Sequence, residues 1–345
     1  MRLPASRSAP VRGSRAARRD IGRVAAASLA VTLLAAGCHV PGTGSGGSGT
    51  AGLPQLTVAA SPGVTDVPLY LAASEGLFKK AGLRVSIRTY NSAAGEMTAL
   101  RAGTADVAST DYADYFFAAS MDPNLLILAD GYDAAPDMMA VLTLPGSGIT
   151  TPQGLVGKTI GTSAPQQFPF SPRVPYSLDT MATQSVLLDD GVQPTQVTWK
   201  ALPPQSLIGA LRDHQVAAIL VTEPYIFQAE SQLGASQVLD SLSGLTAGIP
   251  LDGYFTTRSA ARAKASALRA FRSVLLQAQA QAASGAFVRS ALARYPQMNV
   301  QTAAMLTLGV YPTSLDIPGL QQVANMMYSF GMISQPLGAW SMVFR

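Results

Sequence analysis

The sequence predicts an α/β protein of two lobes, each built around a sheet rich in parallel strands. Strand and helix patterns alternate from Leu56 to Thr110, with helices between the strands. Such alternation is typical of a parallel sheet with helices packed on it. The phrase "MTALRAGTADVASTDY" at 97–112 also has a loose counterpart, "LIGALRDHQVAAILVTEPY", at 207–225. Because each copy reads as a helix, a tight break, a buried strand and a polar turn, we expect one such edge in each lobe.

The N-terminal segment has the features of an export signal. Seven arginines lie between Arg2 and Arg23, followed by an apolar run at 24–36 and then Cys38. That run of 13 residues is shorter than the roughly 20 residues that a bilayer span needs. Residues 1–37 are therefore predicted to be a signal peptide, with a poor signal anchor as the alternative.

Cys38 is the only cysteine of the chain, so it cannot form an internal disulfide. Its place after Ala35-Ala36-Gly37 resembles the lipobox of bacterial lipoproteins. The resemblance implies that Cys38 is acylated and holds the exported protein at the outer face of the cytoplasmic membrane. Glycine and serine are frequent in residues 38–54, which predicts a flexible tether. The general export route and, from Arg18-Arg19, the twin-arginine route both stay open.

The net charge of the chain changes sign when the predicted signal peptide is left out of the count. Seven of the 24 basic residues and one of the 20 acidic residues precede Cys38, which leaves 17 basic and 19 acidic residues, a net charge of −2. No basic stripe is visible along the body, which argues against nucleic-acid binding. No second apolar run approaches the length of a membrane span.

The first half of the body alternates strands and helices. A strand ends before Pro62-Gly63, and the next helix is capped by Asp66 and stopped by Gly82. A further helix is capped by Ser92. The predicted strands are 56–60, 84–91, 105–110, 124–130 and 137–144, and the predicted helices are 67–81 and 92–101.

A phosphate-binding loop is excluded at Gly157-Lys158-Thr159. The motif needs a glycine five places before Gly157, where Pro152 stands, and it follows a strand, whereas this segment precedes one. Beyond it, Ser177 or Asp179 caps a helix to Leu188. The later predicted strands are 195–202, 216–222 and 254–257, and the later predicted helices are 203–214 and 261–285. Helical patterns continue to the end of the sequence, broken at Pro296, Pro312 and Pro318.

Four phrases together resemble solute-binding proteins of bacterial ABC importers. They are "EGLFKKAGLRV", "ALRAGTADVAST", "LVGKTIGTS" and "ALRDHQVAAILVTEPYIFQA". The closest group handles nitrate, sulfonates, taurine and thiamine-pyrimidine precursors. The resemblance implies the type II periplasmic-binding-protein fold, with two lobes joined by a two-strand hinge. By analogy lobe 1 comprises 55–132 and 252–345, and lobe 2 comprises 133–251. The implied partners of this monomer are a small solute and the permease and ATPase of an importer.

Ligand contacts are expected where strands end, because ligands of open parallel sheets bind beyond the carboxyl ends of the strands. Asp66 and Ser92 also suit helix caps, whereas Asp111 follows a buried strand and is not needed as one. The aromatic candidates suit stacking on a planar ligand or packing in the core. The expected ligand-binding residues are Ser61, Asp66, Asn91, Thr110, Asp111, Tyr112, Ser163, Tyr176, Thr222, Glu223, Tyr225 and Tyr254.

Acidic residues outnumber bases among the cleft candidates. Arg173 is the one base nearby, against the carboxylates of Asp66, Asp111, Asp133, Asp137 and Glu223. A negative cleft favours a neutral or cationic heteroaromatic solute, such as a pyrimidine, over a sulfonate or nitrate.

An enzyme is the competing interpretation, since the resemblance includes a thiamine-pyrimidine synthase that uses a histidine and a cysteine-rich motif. The body has no cysteine after Cys38, and its single histidine, His214, lies in a predicted helix-to-strand turn. We therefore expect no catalysis, no cofactor and no metal site. A surface sensor or adhesin without transport is the third interpretation.

Overall fold

A computed structural model describes residues 52–163, 177–293 and 300–345, and these form two five-stranded sheets with helices around them. The predicted signal peptide and Cys38 lie outside the described residues. None of the described helices is both long and apolar enough to cross a membrane. The α/β class predicted from the sequence is confirmed.

The first sheet has the strand order β2-β1-β3-β10-β4. Strand β1 runs parallel to β2 and β3, whereas β10 is antiparallel to both of its neighbours, β3 and β4. The strands are β1 (Gln55–Ala60), β2 (Arg84–Thr89), β3 (Val107–Asp111), β4 (Leu125–Asp133) and β10 (Pro250–Thr257).

The second sheet repeats this arrangement in the order β7-β6-β8-β5-β9. Strand β6 is parallel to β7 and β8, and β5 is antiparallel to β8 and β9. The strands are β5 (Met139–Thr143), β6 (Thr159–Thr162), β7 (Thr198–Ala201), β8 (Ala218–Thr222) and β9 (Ser236–Asp240). The two strands of the repeated phrase, β3 and β8, therefore hold the same third position, as the sequence echo predicts.

The chain crosses between the sheets twice, after β4 and before β10. The backbone N–H of Ala134 in the first crossing donates to the carbonyl of Ile249 in the second at 2.9 Å. At the other end, Ser241 N–H donates to the Met139 carbonyl at 2.8 Å. The crossings thus lie side by side, and each sends one antiparallel strand into the sheet it enters. The sheets are therefore mixed, each with one antiparallel strand among four aligned ones.

The helices depart from the prediction where backbone geometry breaks them. Gly76 has φ 69° and divides the first predicted helix, and Lys264, at φ −129°, divides the long one. The sequence reading missed α4 and α7, which follow the echo strands directly. The helices are α1 (Val67–Ser74), α2 (Leu77–Lys80), α3 (Ala93–Arg101), α4 (Tyr112–Met121), α5 (Leu178–Asp189), α6 (Leu207–Arg212), α7 (Tyr225–Leu233), α8 (Arg258–Ala263), α9 (Ala265–Ala282), α10 (Gly285–Leu292), α11 (Val300–Met305) and α12 (Ile317–Ser329).

Helix α9 covers one face of the first sheet. Its buried residues Leu268, Phe271, Leu275 and Ala278 recur at intervals of three and four, the spacing of one helical face. Phe271 stacks on Phe78 with ring centroids 5.2 Å apart. This packing fixes the first sheet behind the strand ends that form the site.

Candidate ligand-binding site

The carboxyl ends of four parallel strands converge on a cavity of about 570 Å³, called here the central cavity. Gly63–Thr65 follow β1, and Asp111 ends β3 in the first sheet. Ser163 follows β6, and Thr222-Glu223 end β8 in the second sheet. The cavity lies where ligands of open α/β sheets bind, and its volume suits a small organic molecule.

The remaining wall comes from the crossings, from α5 and from the segment between α11 and α12. Apolar side chains dominate it, with carboxylates set among them. The lining residues are Val64, Tyr132, Met138, Met139, Ser177, Leu178, Asp179, Pro224, Leu251, Asp252, Leu306 and Thr307, in addition to the strand ends. The cavity therefore offers apolar surface for a ring and charged groups to orient it.

Helix α5 begins at the cavity wall. The Ser177 side chain accepts the Thr180 N–H at 3.2 Å, and the Thr180 hydroxyl accepts the Ser177 N–H at 3.0 Å. This reciprocal cap confirms Ser177 as the helix start. It also places Asp179, in the first helical turn, on the cavity wall.

Four carboxylates line the central cavity, and no Lys, Arg or His is among its described lining residues. Burial raises the pKa of Asp179 to about 6, and the charge of Asp111 adds to the shift. Burial likewise raises the pKa of Glu223. The wall is short of positive charge to balance its acids, which favours a cationic guest.

Asp111 and Asp252 are Cα partners across the β3–β10 pair. Burial raises the pKa of Asp252 well above its usual range, and the charges of Asp111 and Asp66 raise it further. Burial also raises the pKa of Asp111. Like charges directly opposite on a sheet destabilise the fold, so this pair gains from a proton or a bound cation.

The Glu223 side chain accepts hydrogen bonds from two backbone N–H groups, one near it in sequence and one in the C-terminal region. Its carboxylate accepts the N–H of Phe227 and that of Thr307, each at 3.2 Å. Thr307 belongs to the C-terminal third of the chain and lines the cavity. A cis peptide bond joins Glu223 to Pro224. Glu223 is thus held in place without a basic partner in the described residues.

Asp66 lies behind the wall and has a structural role. It occupies the N-cap position of α1, but its side chain makes no capping bond. Instead it accepts the hydroxyls of Ser109 at 2.6 Å and Tyr254 at 3.0 Å. Burial raises its pKa to about 6. Asp66 therefore occupies the expected cap position of α1, but the expected capping bond from its side chain is absent.

Ser61 and Glu96 form a second contact behind the wall. The Ser61 hydroxyl lies 2.7 Å from the Tyr90 carbonyl and 2.5 Å from Glu96 Oε1. A hydroxyl has one proton, so with Ser61 donating to the carbonyl, Glu96 donates the second bond in its protonated form. Burial raises the pKa of Glu96 to about 8, in accord with that form.

The structure brings four of the expected contact residues to the central cavity: Asp111, Ser163, Thr222 and Glu223. Asp111 also accepts the Asp114 N–H at 2.8 Å as the N-cap of α4. The expectation that it would not serve as a cap is wrong, because a helix begins immediately after β3.

The other expected contacts lie away from the cavity lining. Tyr112 and Tyr254 are fully buried core residues, Asn91 is exposed, and Tyr225 packs against the second sheet's core. The residues outside the lining are Ser61, Asp66, Asn91, Thr110, Tyr112, Tyr225 and Tyr254. Tyr176 lies outside the described residues.

The sequence reading missed two of the four cavity carboxylates. Asp179 was considered only as a cap, and Asp252 precedes the stretch predicted as a strand, because β10 begins at Pro250 rather than Tyr254. Of the acids expected there, Asp133 and Asp137 are not lining residues. Asp137 instead accepts a hydrogen bond from Gln237 at 2.9 Å.

Comparison with known families follows from this geometry. The family model described as NMT1/THI5 like matches residues 65–284. The chain belongs to the NMT1/THI5-like family. The matched region contains both crossings and three of the cavity's four strand ends, those of β3, β6 and β8. No curated protein matches the chain in sequence.

Solved structures similar to this family member share its fold. The periplasmic aliphatic sulphonate binding protein SsuA from Escherichia coli has a TM-score of 0.68 at 16% identity, covering 84% of this chain and 97% of that chain. A Candida albicans gene product with the generic periplasmic binding protein fold has a TM-score of 0.64 at 17% identity, covering 84% of this chain and 96% of that chain. A mutant of DszB, in complex with biphenyl-2-sulfinic acid, has a TM-score of 0.63 at 13% identity, covering 84% of this chain and 96% of that chain. These likenesses show that the chain has the periplasmic-binding-protein fold.

Proposed function

We propose that this protein is the extracytoplasmic solute-binding component of an ABC importer. Family membership and the fold shared with periplasmic binding proteins support it. The observation that carries the proposal is the central cavity, which collects the ends of strands from both sheets. The solute is bound between lobe 1 (55–132 and 252–345) and lobe 2 (133–251), and the paired crossings act as the hinge on which they close.

The solute is a small heteroaromatic molecule, neutral or cationic, such as a pyrimidine. Four carboxylates on the described wall support a guest that donates hydrogen bonds or carries positive charge. Met138, Met139 and Leu251 supply apolar surface for the faces of a ring. Asp111 and Asp252 are the proposed partners of its charged or donor edge.

A sulfonate-binding receptor of the same fold is the second candidate. The likeness to SsuA favours it, as does α5, whose positive N-terminal end meets the cavity. Asp179 in that first turn weakens this feature, because its carboxylate already takes up the favourable end of the helix. The described wall has no basic side chain to pair with a sulfonate.

An enzyme of this fold receives less support. His214 lies in the tight turn before β8, at φ 54°, whereas the central cavity meets the opposite end of that strand at Thr222. The one cysteine, Cys38, belongs to the proposed lipid anchor. Capture and release of solute therefore account for the site better than turnover does.

The proposed setting is the outer face of the cytoplasmic membrane. Residues 1–37 direct export, Cys38 is acylated, and residues 38–54 tether the body to the bilayer. The permease and ATPase of the importer are the proposed protein partners. Acyl incorporation at Cys38, lost in Cys38→Ser, is the direct check on the anchor.

Native mass spectrometry of the protein purified from its own cells tests the proposed function. We expect a stoichiometric small molecule that contains an aromatic nitrogen heterocycle and is released by denaturation. A bound sulfonate would replace the first candidate by the second. Conversion of the bound molecule during incubation would support the enzyme instead.

A further inference from the structure

Charge is strongly segregated along the chain. Residues 258–345 contain eight Lys or Arg residues and one acidic residue, Asp316, whereas residues 38–257 contain nine basic and 18 acidic residues. Four of these 18 acids line the central cavity. Six of the eight C-terminal bases lie on α8, on α9, at the junction between them or at the last residue of the chain.

Four arginines line one surface groove of about 470 Å³, called here the arginine groove: Arg258, Arg262, Arg269 and Arg345. All four are exposed. No Asp or Glu side chain is among the groove's described lining residues. Arg258 and Arg269 bond only to backbone oxygens in the described structure, and none of the four belongs to a described ion pair.

An exposed indole lies at the edge of the arginine groove. Trp340 is 64% exposed, and the guanidinium of Arg345 lies 5.1 Å from its ring centre. A tryptophan beside arginines that have no described Asp or Glu partner has the chemistry of side chains at the water–lipid boundary. There the indole occupies the headgroup layer, and arginines bind lipid phosphates.

The arginine groove lies near the point where the tether enters the body. Lys264, at the junction of α8 and α9, donates from Nζ to the Gln55 carbonyl at 3.4 Å and pairs with Asp106 at 2.8 Å. Gln55 is the first residue of β1, whereas the central cavity meets the other end of that strand. The groove and the tether entry therefore share one end of the first sheet.

We propose that the arginine groove docks the body on an anionic phospholipid surface, with lipid phosphates between the guanidinium groups and Trp340 in the headgroup layer. This inference rests on the proposed function for its setting at the membrane, where the contact adds an electrostatic attachment to the proposed acyl anchor. The strength of this contact falls with salt, because exposed charges are screened beyond about 10 Å at 0.1 M and about 3 Å at 1 M.

Vesicle binding with a local fluorescence readout tests this proposal. The chain has two tryptophans, and the other one, Trp199, is buried. Acrylamide quenching therefore reports mainly on Trp340. We expect vesicles of equal parts phosphatidylglycerol and phosphatidylcholine to shield Trp340, and pure phosphatidylcholine vesicles to leave it quenchable. Trp340→Phe should remove the response.

Charge-matched variants of the full chain separate the arginine groove from the N-terminal segment, which is the same in all of them. Arg262→Gln with Arg269→Gln should lower the partition coefficient about 30-fold, at roughly fivefold for each charge. Lys158→Gln with Arg212→Gln, just before β6 and at the end of α6, removes equal charge and should change the partition coefficient less than about twofold. Soluble glycerol phosphate should compete weakly.

Three results would overturn the proposal. They are equal losses in the two double variants, equal binding to neutral vesicles, and capture of RNA or an acidic protein without vesicle binding. Solute binding by the same variants, measured by calorimetry, should be unchanged. Failure of lipid docking would therefore leave solute capture standing, and failure of solute capture would leave lipid docking standing.

Discussion

Asp111 and Asp252 face each other across the antiparallel pair β3–β10, and both line the central cavity. Asp111 is held by the Asp114 N–H at the start of α4, whereas Asp252 has no described side-chain hydrogen bond. Two carboxylates so placed favour a shared proton or a cation. The proposed ligand preference rests on this pair.

Asp252→Asn is expected to weaken the binding of a cationic heteroaromatic solute by about 10- to 100-fold, the loss of one charge-assisted hydrogen bond. At alkaline pH, where both carboxyls lose their protons, the same change should also raise the free energy of unfolding without ligand by on the order of 1 kcal/mol, since it removes like-charge repulsion. Calorimetry and urea titration measure the two effects. Asp190→Asn, at an exposed position outside the cavity, removes the same charge and should change neither.

The affinity for a cation should rise as the pH increases from about 5 to about 8. Burial raises the pKa of Asp179 to about 6, so the wall gains negative charge over this range. An N-alkylpyridinium ion keeps its own charge, and its titration therefore reports the protein alone. Asp179→Asn should flatten the lower part of the profile; an affinity that falls with rising pH would contradict the acidic-wall account.

Glu96→Gln should stabilise the protein at about pH 8 by on the order of 1–3 kcal/mol and have little effect near pH 4. The pKa of Glu96 is raised from 4.5 to about 8. The folded state therefore holds the proton more tightly, and stability falls as pH rises between these values. The glutamine amide can donate to Ser61 as the protonated acid does. Glu75→Gln, at an exposed position, is the control, and equal pH dependence in both variants would refute the assignment.

Gly309→Ala should destabilise the fold by about 2–4 kcal/mol and weaken solute binding, because the added methyl group overpacks the site. A Cβ at this position would lie 2.4 Å from the Asp133 carbonyl oxygen and 2.8 Å from the Met138 sulfur, both in the first crossing region. At Gly338 the nearest atom is 3.8 Å away, so Gly338→Ala should be close to neutral. Thermal unfolding compares the two variants. Equal melting temperatures would contradict the prediction, because they would show that the first crossing shifts at little cost to make room for the methyl group.

The sequence predicts the sheets well because their strands are local patterns. The strand ends at Asp111 and Thr222 follow from buried runs and from the repeated phrase, and both reach the central cavity. The sequence does not predict Asp252 as a cavity residue, because its position depends on the pairing of β10 with β3, a contact between residues far apart in the chain. Tyr112 and Tyr254 are predicted as ligand contacts for the same reason, since only the packed fold shows that they lie in the core.

The arginine groove shows a further limit of sequence reading. No basic stripe is visible along the chain because its arginines belong to α8, α9 and the last residue, up to 87 positions apart, from Arg258 to Arg345. The packing of the last residues near α8 and α9, with the Phe344 carbonyl accepting from Arg272 at 3.1 Å, brings them together. Helix periodicity alone gives no sign of this contact.

The central claim is that the two sheets form one cavity whose carboxylates select a cationic or neutral heteroaromatic solute. Calorimetric titration of the protein, freed of ligand, with a 4-aminopyrimidine and with taurine in parallel tests it most directly. The account predicts saturable one-to-one binding of the aminopyrimidine, weakened by Asp252→Asn, and no heat from taurine. Tight binding of taurine with an inert aminopyrimidine would contradict it.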